Sequence, residues 1–145
     1  MSIPISVYII AVVAGWLVSH CAKFVIQSIR AKRPVSWRVF FRSGGMPSSH
    51  SATVMALLTV VALVDGVESG LFGLAALFAG IVMFDAMKVR RSSGEQGTAL
   101  IALMKESKSK VDLPRVALGH TPVEVLMGAL LGVVVGLTTY LLVLV

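Results

Sequence analysis

The sequence predicts an all-α integral membrane protein: a small bundle of about four transmembrane helices plus a short interfacial helix, in a single membrane-embedded domain over residues 1–145. Three observations lead there. Hydrophobic residues make up 57% of the chain and mean hydropathy is +0.91. The apolar residues come in long runs rather than in helical stripes, the pattern of helices that meet lipid on most sides. The charges cluster in the segments between those runs. A net charge of +6 in a soluble domain would suggest nucleic acid. Here only 7% of residues are aromatic and the cations sit between apolar spans, so phospholipid head groups or a phosphorylated substrate are the expected anions, with no nucleic-acid partner. The single cysteine, Cys21, cannot form an internal disulfide and has no partner for a metal site.

Taken in order, the first span covers about residues 3–29. Residues 1–22 carry no charge, exceed the ~20 residues that cross a bilayer, and have neither a basic leader nor a small-residue cleavage site. They read as a span, not a signal peptide. A second span follows at residues 49–64, a third at 70–88 and a fourth at 122–145. The second is short, because 16 helical residues reach only ~24 Å, and the third is little longer. An acidic turn containing Asp65, Gly66 and Glu68, with no lysine or arginine, joins them. Residues 89–119 read as a long loop, within which the apolar, breaker-free stretch 98–104 predicts a short helix lying on the cytoplasmic leaflet. Residues 72–79 and the row Gly128, Gly132, Gly136 offer close-packing faces to spans three and four. The glycine row serves either packing within one chain or a seam between two copies. A four-span bundle with two short members is thin, and a homodimer in the membrane is expected.

Charge placement orients the chain. All 13 lysines and arginines fall at or after the end of span one (Lys23, Arg30, Lys32, Arg33, Arg38, Arg42) or from the end of span three to span four (Lys88, Arg90, Arg91, Lys105, Lys108, Lys110, Arg115). With four spans both segments lie on one side, which the positive-inside rule makes cytoplasmic. The expected location is therefore the plasma (inner) membrane, multi-pass, with both termini extracytoplasmic.

Four polar features gather at that cytoplasmic face. His20, Lys23, Gln27 and Arg30 form a stripe at the end of span one, all within one arc of the helix. The run Gly44-Gly45-Met46-Pro47-Ser48-Ser49-His50-Ser51-Ala52 places two glycines, hydroxyls and an imidazole where an apolar helix begins, as an anion site requires. At the end of span three, Asp85 precedes Lys88, Arg90 and Arg91; it pairs with Lys88 or holds one of the arginines, a supporting role. At the start of span four, His120 and Glu124 are four apart, so a carboxylate can orient an imidazole. Thr121-Pro122-x-Glu124 is also a capping box, and the two roles suit different ends of one carboxylate. Two histidines, a carboxylate, fixed cations and a glycine-serine turn are the parts that phosphoryl transfer through a phosphohistidine needs. No carboxylate cluster suits magnesium.

At these residues the sequence resembles the type 2 phosphatidic acid phosphatase superfamily, and more closely its divergent branch of acid phosphatase/vanadium-dependent haloperoxidase-related proteins. The superfamily pattern is Lys-x6-Arg-Pro, Pro-Ser-Gly-His, then Ser-Arg-x5-His-x3-Asp. The branch's blocks look like residues 44–52, 84–96 and 118–125. The resemblance implies His120 as the phosphate-accepting nucleophile, Glu124 as its orienter and His50 as general acid. It also implies Lys23, Ser48, Ser49 and Arg91 as phosphate ligands, with no metal and no cofactor. Departures leave some assignments shared. Lys23-x6-Arg30 lacks the proline, whereas Arg33-Pro34 has it but with Ile26 in the lysine position, so Arg33 joins the set. Ser49 replaces glycine and Glu124 replaces aspartate. Arg91 lies far upstream of His120 and Arg90 stands in the serine position, so both arginines are phosphate-ligand candidates, while Arg115 is nearer but one residue short. Gly45 and Asp85 complete the site as supports.

The function this implies is a metal-independent lipid phosphate phosphatase of the phosphatidylglycerophosphate, phosphatidate or polyprenyl phosphate class, acting at the cytoplasmic membrane face. A catalytically inactive membrane scaffold or lipid-binding protein is the rival, since the core motifs are altered. Haloperoxidase activity ranks third and would require vanadium.

Overall fold

The computed structural model describes residues 6–36, 44–109, 111–114, 116 and 119–145, and the described residues fold as five α-helices and one π-turn. Helix α1 is Ser6–Ala31, α2 Ser49–Val64, α3 Gly70–Phe84, α4 Arg90–Glu106 and α5 Pro122–Leu144, with the π-turn at Asp85–Val89. Three helical stretches are long and apolar enough to cross a membrane: Val7–Ala31, Gly70–Glu106 and Pro122–Leu144. Helix α2 is shorter, as expected.

Helix α2 is the axis of the bundle. Its start is set by Ser48, whose Oγ accepts the Ser51 N–H. Its side facing α5 is built of small residues, and α5 answers with its glycine row. A Cβ on Gly128 would collide with the Ser48 carbonyl, one on Gly132 with the Ala52 carbonyl, and one on Gly136 would come within 2.7 Å of the Ala56 carbonyl. Both series advance by four residues, so α2 and α5 run parallel, in register, at backbone contact. The glycine row is thus occupied within one chain and is not a seam between copies. Helix α1 packs antiparallel to α2 on another side: Gly15 meets Ala52 and Ala56, and at the far end the Tyr8 hydroxyl donates to Asp65 at 2.7 Å. Val7, Ala11, Ala56, Val60 and Val135 form the core between them. Outward faces carry large apolar residues such as Leu74, Leu77, Ile81 and Leu142, as lipid contact requires.

One expectation needs correction. Residues 89–119 are not a long loop with an isolated helix at 98–104. The third span runs on through the π-turn into α4, giving 37 consecutive helical residues, about 55 Å at 1.5 Å per residue and well beyond a ~30 Å hydrocarbon core. The polar run 88–96 looks like a loop by composition, but it contains no proline. Gly94 and Gly97 weaken a helix by about 1 kcal/mol each without ending it. Of the face expected at 72–79, only Ala79 is buried.

Candidate active site

All four polar features meet at one end of the bundle, where α1 ends and α2 and α5 begin. His120 lies in the segment before α5 and is held three ways. Its backbone N–H donates to the Ala86 carbonyl at 2.8 Å. That carbonyl is available because of the π-turn: Arg90 N–H bonds Asp85 O rather than Ala86 O, as it would in an α-helix. Its ring Nδ1 lies 3.2 Å from Glu124 Oε2. Gly119, just before it, sits on the backbone of Arg91, where a Cβ would come within 2.6 Å of the amide nitrogen. His120 is consequently 2% exposed.

Glu124 performs both expected roles with one oxygen rather than with different ends. Its Oε2 accepts from His120 Nδ1 and from Thr121 N–H at 3.1 Å, while the Thr121 hydroxyl accepts Glu124 N–H to complete the capping box. Because a carboxylate only accepts, Nδ1 carries the proton and Nε2 is left with its lone pair. Burial pushes the His120 imidazole below its ordinary range. Glu124 counters part of that fall by hydrogen bond and charge, and the positive charges of Lys23 and Arg90 add to it.

His50, in the first turn of α2, faces His120. Their ring centroids are 6.0 Å apart with planes at 67°. Its Nδ1 is buried and makes no hydrogen bond among the described residues, and the same holds for Ser51 Oγ beside it. The Gly44-Gly45 turn adopts φ of 86° and 87°, and a Cβ at Gly45 would come within 3.0 Å of the Gln27 amide, which ties this turn to α1.

The remaining expected residues divide. Lys23 is 2% exposed, makes no hydrogen bond among the described residues, and lies within electrostatic reach of Glu124, His50 and His120. Arg90 is clamped by Asp85, Nε to Oδ2 at 2.6 Å, and its charge also reaches both histidines. Arg91 turns away: it pairs with Glu95 at 3.2 Å on the surface. Ser49 is buried and its hydroxyl makes no hydrogen bond among the described residues. Ser48 lies beneath the site, with no exposed surface, its Oγ capping α2 and its N–H bonded to the Glu124 carbonyl at 3.0 Å. Arg33 is exposed at the end of α1, where its N–H closes the helix on Ser28, ~15 Å along the axis from Lys23. Among the described residues the Arg33 side chain makes no hydrogen bond or ion pair with the site, so the lysine of the stripe and not the Arg-Pro pair is the member gathered here. His20 is a packed histidine, its Nδ1 2.8 Å from the Trp16 carbonyl and its ring 4.5 Å from the indole. Arg38, Arg42, Lys110 and Arg115 lie outside the described residues.

Sequence reasoning missed two contributors, Gly119 and the Ala86 carbonyl. The first had a signal, a glycine immediately before the histidine. The second had none, because a backbone acceptor freed by an irregular turn leaves no mark on residue type.

Comparison with known proteins gives a consistent result. The family model described as the divergent PAP2 family matches residues 6–135. An uncharacterized membrane protein of Bacillus subtilis (strain 168), YuiD, is 41% identical, the match covering 86% of this chain and 87% of the relative. No solved structure matches.

Proposed function

The chain belongs to the divergent PAP2 family, and from that premise we propose that it is a metal-independent lipid phosphate phosphatase working through a phosphohistidine. The observation that carries the reading is the pair of imidazoles. One is held in a single tautomer by Glu124 and the other faces it with ring centroids 6.0 Å apart, so two imidazoles can border one phosphate ester.

In this mechanism His120 Nε2 attacks phosphorus and an N–P bond forms as the ester P–O bond breaks. Protonated His50 gives its proton to the departing alkoxide, which leaves as the lipid alcohol. Neutral His50 then takes a proton from water; the water oxygen attacks phosphorus, the N–P bond breaks, and inorganic phosphate departs. Glu124 stabilises the positive imidazole ring of the intermediate. Lys23 and Arg90 face the equatorial oxygens, joined by the Ser49 hydroxyl and by the first-turn N–H groups of α2, whose partial positive charge favours an anion. Asp85 keeps Arg90 extended, and Ser48 and Gly45 shape the turn. The charge distribution supports a site facing the cytoplasm, and with it a lipid phosphate of the inner leaflet: a phosphatidylglycerophosphate, a phosphatidate or a polyprenyl phosphate.

The test is inorganic phosphate release from a panel of these lipids in detergent with EDTA present, wild type beside His120→Ala. Release that survives chelation and disappears in the variant is the expected result. No release from any lipid by folded protein would overturn the enzymatic reading in favour of a catalytically inactive lipid-binding protein.

A further inference from the structure

Arg90 and Arg91 follow each other on one helix, so their side chains leave it about 100° apart. Arg90 is fixed by Asp85, and its charge reaches the two histidines. Arg91 points into a groove of ≈ 640 Å³ between α4 and the segment before α5, within the size range of small-molecule sites. His120 and Thr121 form one wall of this groove, and Gly94, Thr98 and Ala99 form the floor on α4. The small residues leave the space open. The groove therefore borders the segment that carries the proposed nucleophile and has a guanidinium at its side. That guanidinium is held only by Glu95, in a pair whose side chains are 63% and 70% exposed. Exposed pairs of this kind contribute ~0–1 kcal/mol, so a ligand anion can displace the carboxylate. One cation cluster faces the reacting phosphate, and a separate, exchangeable cation waits beside it.

We propose that the groove receives the part of the substrate next to the scissile ester, and that Arg91 binds a second anionic group there. The substrate class is then a lipid whose phosphomonoester is accompanied by a further phosphoryl charge, rather than a lipid carrying one phosphate alone. Arg91 is on this account a specificity residue, distinct from the cations that serve the reaction. The proposal rests on the phosphatase reading for the place of the scissile ester, and its test separates the two.

The experiment compares two short-chain lipids in detergent, a phosphatidylglycerophosphate, which carries a phosphodiester beside its monoester, and a phosphatidate, which does not. For each, kcat/KM and equilibrium binding by calorimetry are measured on wild type, Arg91→Gln and Ala99→Trp. Wild type should prefer the lipid with two phosphoryl groups. Arg91→Gln should reduce that preference roughly ten- to hundredfold, the worth of a charge-assisted hydrogen bond, and Ala99→Trp should reduce it by filling the groove. Equal loss on both lipids, or an unchanged ratio, overturns the proposal. If neither lipid is hydrolysed, the phosphatase reading fails by itself. The binding ratio still decides: a preference in wild type that Arg91→Gln abolishes supports the anion groove, and no preference sinks it.

Discussion

Replacing Glu124 with glutamine separates the chemical role of this side chain from its structural one. One oxygen, Oε2, holds both His120 Nδ1 at 3.2 Å and the Thr121 N–H at 3.1 Å. A carboxamide oxygen can accept the same two bonds, so the capping box and the segment carrying His120 should persist. What disappears is the charge. At 3.2 Å and an effective dielectric of ~20, a carboxylate and a full positive charge on the ring attract by about 5 kcal/mol. Glu124 is partly exposed, which brings the realised figure closer to the ~1.5–3 kcal/mol typical of a charge-assisted hydrogen bond. The ring is neutral before attack and positive once phosphorylated, so most of this interaction develops along the reaction and its loss lowers kcat rather than raising KM. The expected loss is ~10- to 100-fold in kcat, measured by phosphate release, with Tm in detergent shifted by no more than a few degrees. Glu124→Ala should lose as much activity and a further ~1 kcal/mol of stability through the cap. If Glu124→Gln retained kcat within threefold of wild type while folded, the assignment of Glu124 as orienter of a nucleophilic His120 would be wrong.

Three further outcomes follow from the same geometry. Lys23→Met should reduce phosphate release by about tenfold or more while Arg33→Met leaves it within threefold, because one ammonium is buried at the site and the other cation lies exposed outside it. Gly132→Val should cost at least ~1–3 kcal/mol of stability, read as a lower Tm, since even a Cβ there meets the Ala52 carbonyl and Met55. The His120 ring, followed by NMR titration, should have a midpoint below the usual ~6.5 because it is buried, and Glu124→Gln should lower it further by removing the interactions that favour the charged ring. A depressed native pKa means the unfolded chain binds the proton first. This residue's contribution to stability is thus present above ~6.5 and is lost as pH falls towards its native midpoint.

Much of this architecture was legible because local chemistry and global packing agree. Helix α2 begins at Ser49 and ends at Val64 as expected, since Ser48 can cap it and the Asp65-Gly66 turn follows. The His120–Glu124 pair was legible from its spacing of four, although His120 lies just before α5 and is reached by the capping-box carboxylate rather than across a helical face. The ion pair at the end of span three was half legible. Asp85 was expected to hold Lys88 or one of the arginines, and it takes Arg90, five residues on. In a regular α-helix that separation points the two side chains apart; the wider π-turn, with its i→i+5 bonds, brings them onto one side. The same turn continues the third span into α4 and frees the acceptor for His120. Nothing in Asp85-Ala86-Met87-Lys88-Val89 marks an extra residue per turn, so neither consequence could be read from periodicity. The glycine row was legible as a packing face, but its partner was not, because spacing alone does not say which helix presents small residues opposite.

The central claim is that phosphate passes through His120. Rapid quenching of wild type mixed with a ³²P-labelled lipid phosphate, followed by peptide mapping, measures this directly. An acid-labile, base-stable label is expected on the peptide containing His120, retained longer in His50→Ala, which lacks the base for hydrolysis, and absent in His120→Ala. Lipid hydrolysis that proceeds with no label on His120 at any time point, or with label on another residue, would contradict it.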